Sequence, residues 1–186
     1  QGDTGTVSQR GLFSPNKNGE GRIVARLGEM EISIPVKVDG MQKKWTPDFI
    51  EDVNPIISKL GCNSGTCHGA KDGKNGFKLS LRGYDAVYDV RGFTDDMACR
   101  RVSVASPDSS LMLLKASGRV PHEGGKLIDS QSKYYQVIRT WIAQGASLNE
   151  KAVRVKKIEL FPKDPVVQEI GSTQQMRVVA SFSNGK

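Results

Sequence analysis

The chain has 186 residues, 37% of them hydrophobic and 6% aromatic, with three Cys and only two His. Its formal net charge is +7, and its mean hydropathy is −0.41 with a sequence pI of about 9.4. That length makes one good-sized domain or two small ones, and no apolar run approaches the ~20 residues needed to span a bilayer.

The Lys and Arg are scattered, with no aromatic–basic stacking platform among them, so the basic balance lacks the reader motif that nucleic-acid binding needs. It reads as a solvated, mildly basic surface. The functional alternative is steering toward an acidic redox partner. No Ser/His/Asp set and no paired-carboxylate constellation stands out, and two histidines with another task leave no general base. The chain is therefore not expected to be an enzyme.

Residues 1–40 read as β. The segments 22–27 and 31–38 alternate polar and apolar residues, with Gly28-Glu29 as the turn between them. Residues 46–150 read as helical and loop-rich, within a central domain bounded at 41–152. Phe49, Val53, Ile56, Ile57 and Leu60 keep helical spacing, with Pro55 as a kink or fresh start. Ser132 is a helix cap ahead of an apolar stripe of Tyr134, Val137, Ile138, Trp141 and Ile142, which ends at Gly145. Residues 153–186 return to β, with strands at 155–161 and 175–182. The fold class expected is mixed: a mainly α-helical central domain with β segments at both termini.

The chemistry concentrates in Gly61-Cys62-Asn63-Ser64-Gly65-Thr66-Cys67-His68. Two thiols followed at once by an imidazole suit covalent heme attachment. Each S–H adds across one heme vinyl group, and the adjacent His reaches the iron as the proximal axial ligand. The spacing is C-x-x-x-x-C-H, two residues longer than the usual C-x-x-C-H. The intervening residues are small or turn-forming, so the longer loop bulges at little steric cost. Three other readings stay open. Zinc could take Cys62, Cys67 and His68 with Cys99 or His122. The two cysteines could close a small disulfide loop, or they could be ordinary buried thiols.

Several blocks in order, from Asn54 to Ala146, resemble the cytochrome c-like domains of large modular exported proteins of planctomycete-type bacteria. They are Pro55–Cys62, Cys67-His68-Gly69-Ala70, Gly76–Asp85, Arg100-Arg101-Val102, Ser110–Lys115, Val120–Gly125 and Trp141–Ala146. The resemblance covers about half of the chain. It implies a monoheme c-type cytochrome domain with heme c as cofactor, and export to the periplasm or cell surface. Residues 1–40 resemble the C-terminal half of a bacterial Ig-like repeat, and residues 153–186 the N-terminal half of another. Both ends then read as cut from a larger chain, with a leader removed. The two halves are expected to pair, within one chain or between neighbours, into a composite Ig-like β-sandwich, because half a sandwich leaves open edges.

His122 is the leading candidate for the distal iron ligand. Pro121 fixes its approach, the following glycines let the backbone run close to a flat macrocycle, and the block belongs to the resemblance. Cys99 is the alternative, with Met97 and Met112 ranked below and an open site also possible. Phe77, Leu79, Leu81, Tyr84 and Met112 are candidate pocket walls. Arg82, with Arg100 and Arg101, is a candidate partner for heme propionates. The function expected is single-electron transfer with an unidentified redox partner protein. A heme-based redox or gas sensor and a zinc-stabilised interaction module are the alternatives.

Overall fold

A computed structural model describes residues 4–97 and 100–185. The chain divides once into compact units, between Trp45 and Thr46, so the segment 153–186 falls in the second unit. Among the described residues no helix is long and apolar enough to cross a membrane.

The first unit is built of two hairpins. Strand β1 (Gly5–Val7) pairs with β2 (Phe13–Pro15), and β3 (Gly19–Leu27) with β4 (Met30–Val38), all antiparallel. Gly28 takes φ +60 in the two-residue turn of the longer hairpin, a conformation that costs glycine little. The period-2 alternation sorts the faces. Ile23 stands opposite Ile34, Ala25 opposite Ile32 and Leu27 opposite Met30. The other face carries the Arg26–Glu31 ion pair at 2.7 Å and the Arg22 Nε to Ser33 Oγ bond. Leu27, Met30, Ile32 and Ile34 are all exposed.

The second unit holds four α-helices. A π-helical turn at Phe49–Val53 runs into α1 (Asn54–Lys59). Asp48 caps the turn, its carboxylate accepting from Ile50 N and Glu51 N. The hydrogen-bond register changes from π to α where Pro55 falls in the first turn of α1, a position where its missing N–H costs nothing. Then follow α2 (Ala86–Thr94), capped by Asp85, α3 (Leu111–Ala116) and α4 (Lys133–Ala143), in which the Ser132 hydroxyl accepts from Tyr135 N at 3.2 Å. Strands β5 (Val155–Phe161) and β6 (Arg177–Phe182) close the unit as a third two-stranded antiparallel sheet. It is tied to the π-helical turn by Val153 N donating to Glu51 Oε1.

The helices meet over one core. Phe49, Val53, Leu113, Ile138, Trp141 and Ile142 are essentially solvent-free. The Phe49 ring lies 5.2 Å from Trp141 and 6.5 Å from Phe93, which in turn meets Phe77 edge-on at 5.1 Å. Trp141 satisfies its indole N–H on the Ser147 carbonyl, so its burial leaves no polar cost. Trp141→Ala should destabilise the protein by about 3–5 kcal/mol through the cavity it leaves, read as a lowered midpoint in urea unfolding.

Candidate heme-binding site

The end of α1 sets the position of the first cysteine. Gly61, at φ +78, reverses the chain after Leu60. Its N–H donates to Ser58 O, and that of Cys62 to Ile57 O. These are the two bonds of a Schellman C-cap, with glycine at its left-handed position. Cys62 therefore leaves the helix at a fixed angle.

The longer spacer is wound, not slack. Ser64 N bonds Gly61 O and Cys67 N bonds Ser64 O, each at 3.0 Å, and His68 N returns to Cys62 O at 3.0 Å. Asn63 is fully buried beneath this loop. Its side chain donates to Ser58 Oγ, and its carbonyl receives Arg82 N. Gly69 passes so close that a Cβ there would overlap the Asn63 carbonyl.

The turn Lys74-Asn75-Gly76-Phe77 fixes the imidazole. Asn75 and Gly76 both take positive φ, 49° and 71°, the signature of a type I′ turn. Lys74 and Phe77 exchange both backbone bonds across it. The Phe77 carbonyl also accepts from His68 Nδ1 at 3.0 Å, while Leu79 N holds the His68 carbonyl at 2.8 Å. With Nδ1 carrying the proton, Nε2 holds the lone pair, the arrangement of a histidine ready to bind a metal. Burial is the main cause that pulls the His68 pKa below its ordinary value. The Phe77 bond opposes it, and repulsion from His122, Arg101 and Lys115 adds to it.

His122 stands in a tight turn in which Gly125 N bonds His122 O, with Gly125 at φ +71. Its Nδ1 lies 3.1 Å from the Gly125 carbonyl, which again leaves Nε2 as the acceptor nitrogen. Lys115 Nζ, at the end of α3, donates to Pro121 O at 2.6 Å and ties the loop to the helix.

Cys62, Cys67, His68 and His122 line one cavity of about 810 Å³, within the ~300–1,000 Å³ usual for small-molecule and cofactor sites. Its walls include Ile57, Phe77, Leu79, Met112 and Ile138. Four cations, Lys74, Arg100, Arg101 and Lys115, also line it, with Glu123 as the one carboxylate among the lining residues. An apolar enclosure with a cationic border fits a flat amphiphile that carries acidic substituents. Burial, with a small contribution from Cys67, pushes the Cys62 thiol up to about 11. A neutral sulfur suits that setting and a thiolate does not. Among the described residues no three His, Cys, Asp or Glu side chains converge as a metal group, and Cys62 and Cys67 are unpaired. These residues are disposed as the expected heme c would need: Cys62 and Cys67 would carry the thioethers, and His68 and His122 would offer Nε2 to the iron.

Leu81 and Tyr84, expected as walls, are exposed and do not line the cavity, and neither does Arg82. Its backbone sits at φ +57, and its N–H serves the attachment loop through Asn63. Exposed Arg100 lines the cavity without an ion pair among the described residues, which leaves it open to an acidic substituent. Met97 lines it as well, and Cys99 lies outside the described residues. The role of the Phe77 carbonyl is not apparent from apolar patterning; the Asn75-Gly76 pair was the available signal. Compared with protein-family models, with curated proteins and with solved structures, the chain gives no match.

The depressed His68 pKa has a pH consequence. Below the ordinary value of 6.5 the unfolded chain binds a proton that the folded protein resists. Stability is full above that value and is lost as pH falls from it toward the lower folded value. Urea midpoints of the cofactor-free protein between pH 7.5 and 5 should fall with acidification, and His68→Gln should flatten the slope.

Proposed function

We propose that this chain is a monoheme c-type cytochrome module that takes up and gives up one electron. The observation that carries the reading is the convergence of Cys62, Cys67, His68 and His122 on one cavity, with each imidazole tied through Nδ1 to a backbone carbonyl. Heme c, when bound, supplies an iron that alternates between ferric and ferrous. The protein supplies the rest. The wound loop holds both thiols beside His68, and the Phe77 carbonyl fixes the tautomer and orientation of that ring. The apolar walls exclude water, and Arg100, Lys74 and Lys115 offer charge to acidic substituents. On this reading the partner is another redox protein. Because heme c is attached outside the cytoplasm, the reading places the module in the periplasm or at the cell surface. The β segments to either side, read as Ig-like halves, would serve as spacers of a larger assembly and could associate with one another.

A pyridine hemochrome assay on the denatured protein, expressed with heme-attachment machinery, should give a c-type band that stays with the polypeptide. A colourless product would sink the cytochrome reading and make zinc analysis the next step. Distal ligation has its own test: His122→Ala should convert a low-spin spectrum to high-spin while leaving the covalent heme content unchanged. An unchanged spectrum, together with a shift on Cys99→Ala, would transfer the role to Cys99. Rapid carbon monoxide binding by the reduced wild type would favour the sensor reading, which needs a vacant or displaceable sixth position.

A further inference from the structure

We propose that Arg101 is a positioning residue that buttresses the His68 ring through Phe77 and, by its buried charge, favours the reduced state of the iron held there. The inference rests on the heme reading above.

The Arg101 side chain is only 8% exposed, yet it carries a permanent charge. Its Nη1 donates to Gly92 O at 2.7 Å, near the end of α2, and to Asp96 Oδ2 at 3.1 Å. Its Nη2 donates to Gly76 O at 3.1 Å, inside the Asn75-Gly76 turn. The guanidinium lies 4.5 Å from the centre of the Phe77 ring, and that ring lies 4.7 Å from the centre of the His68 ring. Arg101 thus grips both sides of the unit that fixes His68: the turn that presents the Phe77 carbonyl, and the Phe77 ring that backs the imidazole. The cation–π contact is worth more in this desolvated setting than it would be on the surface.

The charge has a second effect. Asp96 is the one carboxylate bonded to Arg101 among the described residues, and its side chain is 64% exposed. Water solvates that carboxylate, so it neutralises the buried guanidinium only in part. Arg101 is one of the residues that line the cavity, so its partly compensated charge lies beside the site. Heme iron, if held here, would take one electron from an external donor protein with no bond made or broken in the protein. A fixed cation beside the site stabilises the state that has gained the electron.

The test uses the full chain with covalent heme, its loading checked by hemochrome and intact mass, and reads the midpoint potential by spectroelectrochemistry. Arg101→Met should lower the midpoint, cutting the reduced-to-oxidised ratio at a fixed poise about tenfold, the size expected of a unit charge on the order of 10 Å away at an effective dielectric of ~20. Arg101→Lys keeps the charge and loses the fork, so it should lie closer to wild type than the Met variant does. Asp96→Asn, at an exposed position, should raise the midpoint by unmasking the guanidinium. Equal shifts in the Lys and Met variants would overturn the charge effect, and so would an unchanged Asp96→Asn midpoint. The last comparison decides even if Arg101→Met fails to fold. A wild type without covalent heme overturns the heme reading and this inference together, whereas loaded variants with invariant midpoints overturn only the inference.

Discussion

The hydrogen bond between His68 Nδ1 and the Phe77 carbonyl joins the two halves of the site, and its neighbours are arranged to keep it. On one side the His68 backbone is closed onto Cys62 and Leu79. On the other, the Phe77 carbonyl is presented by a turn whose two central residues take positive φ. Loss of this bond would free the imidazole to choose its tautomer and its direction, and the proximity of the two thiols would no longer imply a usable nitrogen beside them. The burial that makes the bond strong also makes a charged imidazole costly, so the same packing favours the neutral ring.

Burial bears on the competing chemistries of the cysteine pair. A zinc site must turn its thiols into thiolates, and the metal must repay the cost of burying them. Cys62 lies where that cost is high. A thioether sulfur carries no charge and suffers no such penalty. The cations of the cavity lining have the opposite preference, since they are useful only to a ligand that brings acidic groups with it.

Much of this was legible in the sequence because it depends on local rules. The Ser132 cap, the Pro55 break, the apolar stripe of α4 and the Gly28 turn each follow from a few adjacent residues, whereas the Asp48 cap emerged only with the structure. The attachment motif and His122 stood out because histidine is scarce. Long-range consequences were harder to read. Arg82 and Arg101 were equivalent as candidate propionate partners. Their separation depends on where the chain after α2 returns, which buries Arg101 against Gly92 and Gly76 and leaves Arg82 outside the cavity lining. No period or spacing carries that information. The β segments were legible as alternating strands, but alternation alone does not say which surface covers an apolar face.

The two imidazoles differ in how their positions depend on the rest of the fold. The backbone contacts of His68 are close in sequence, at the end of α1, the wound loop and the turn before Phe77, while the Phe77 ring behind it is held from farther along the chain by Phe93 and Arg101. The local contacts close quickly and with little entropy cost. His122 is brought to the same cavity only once α3 is packed, because Lys115 and Pro121 carry the tether. A perturbation that loosens α3 should release the second histidine first, so the occupancy of that position serves as an internal gauge of how far the domain has closed.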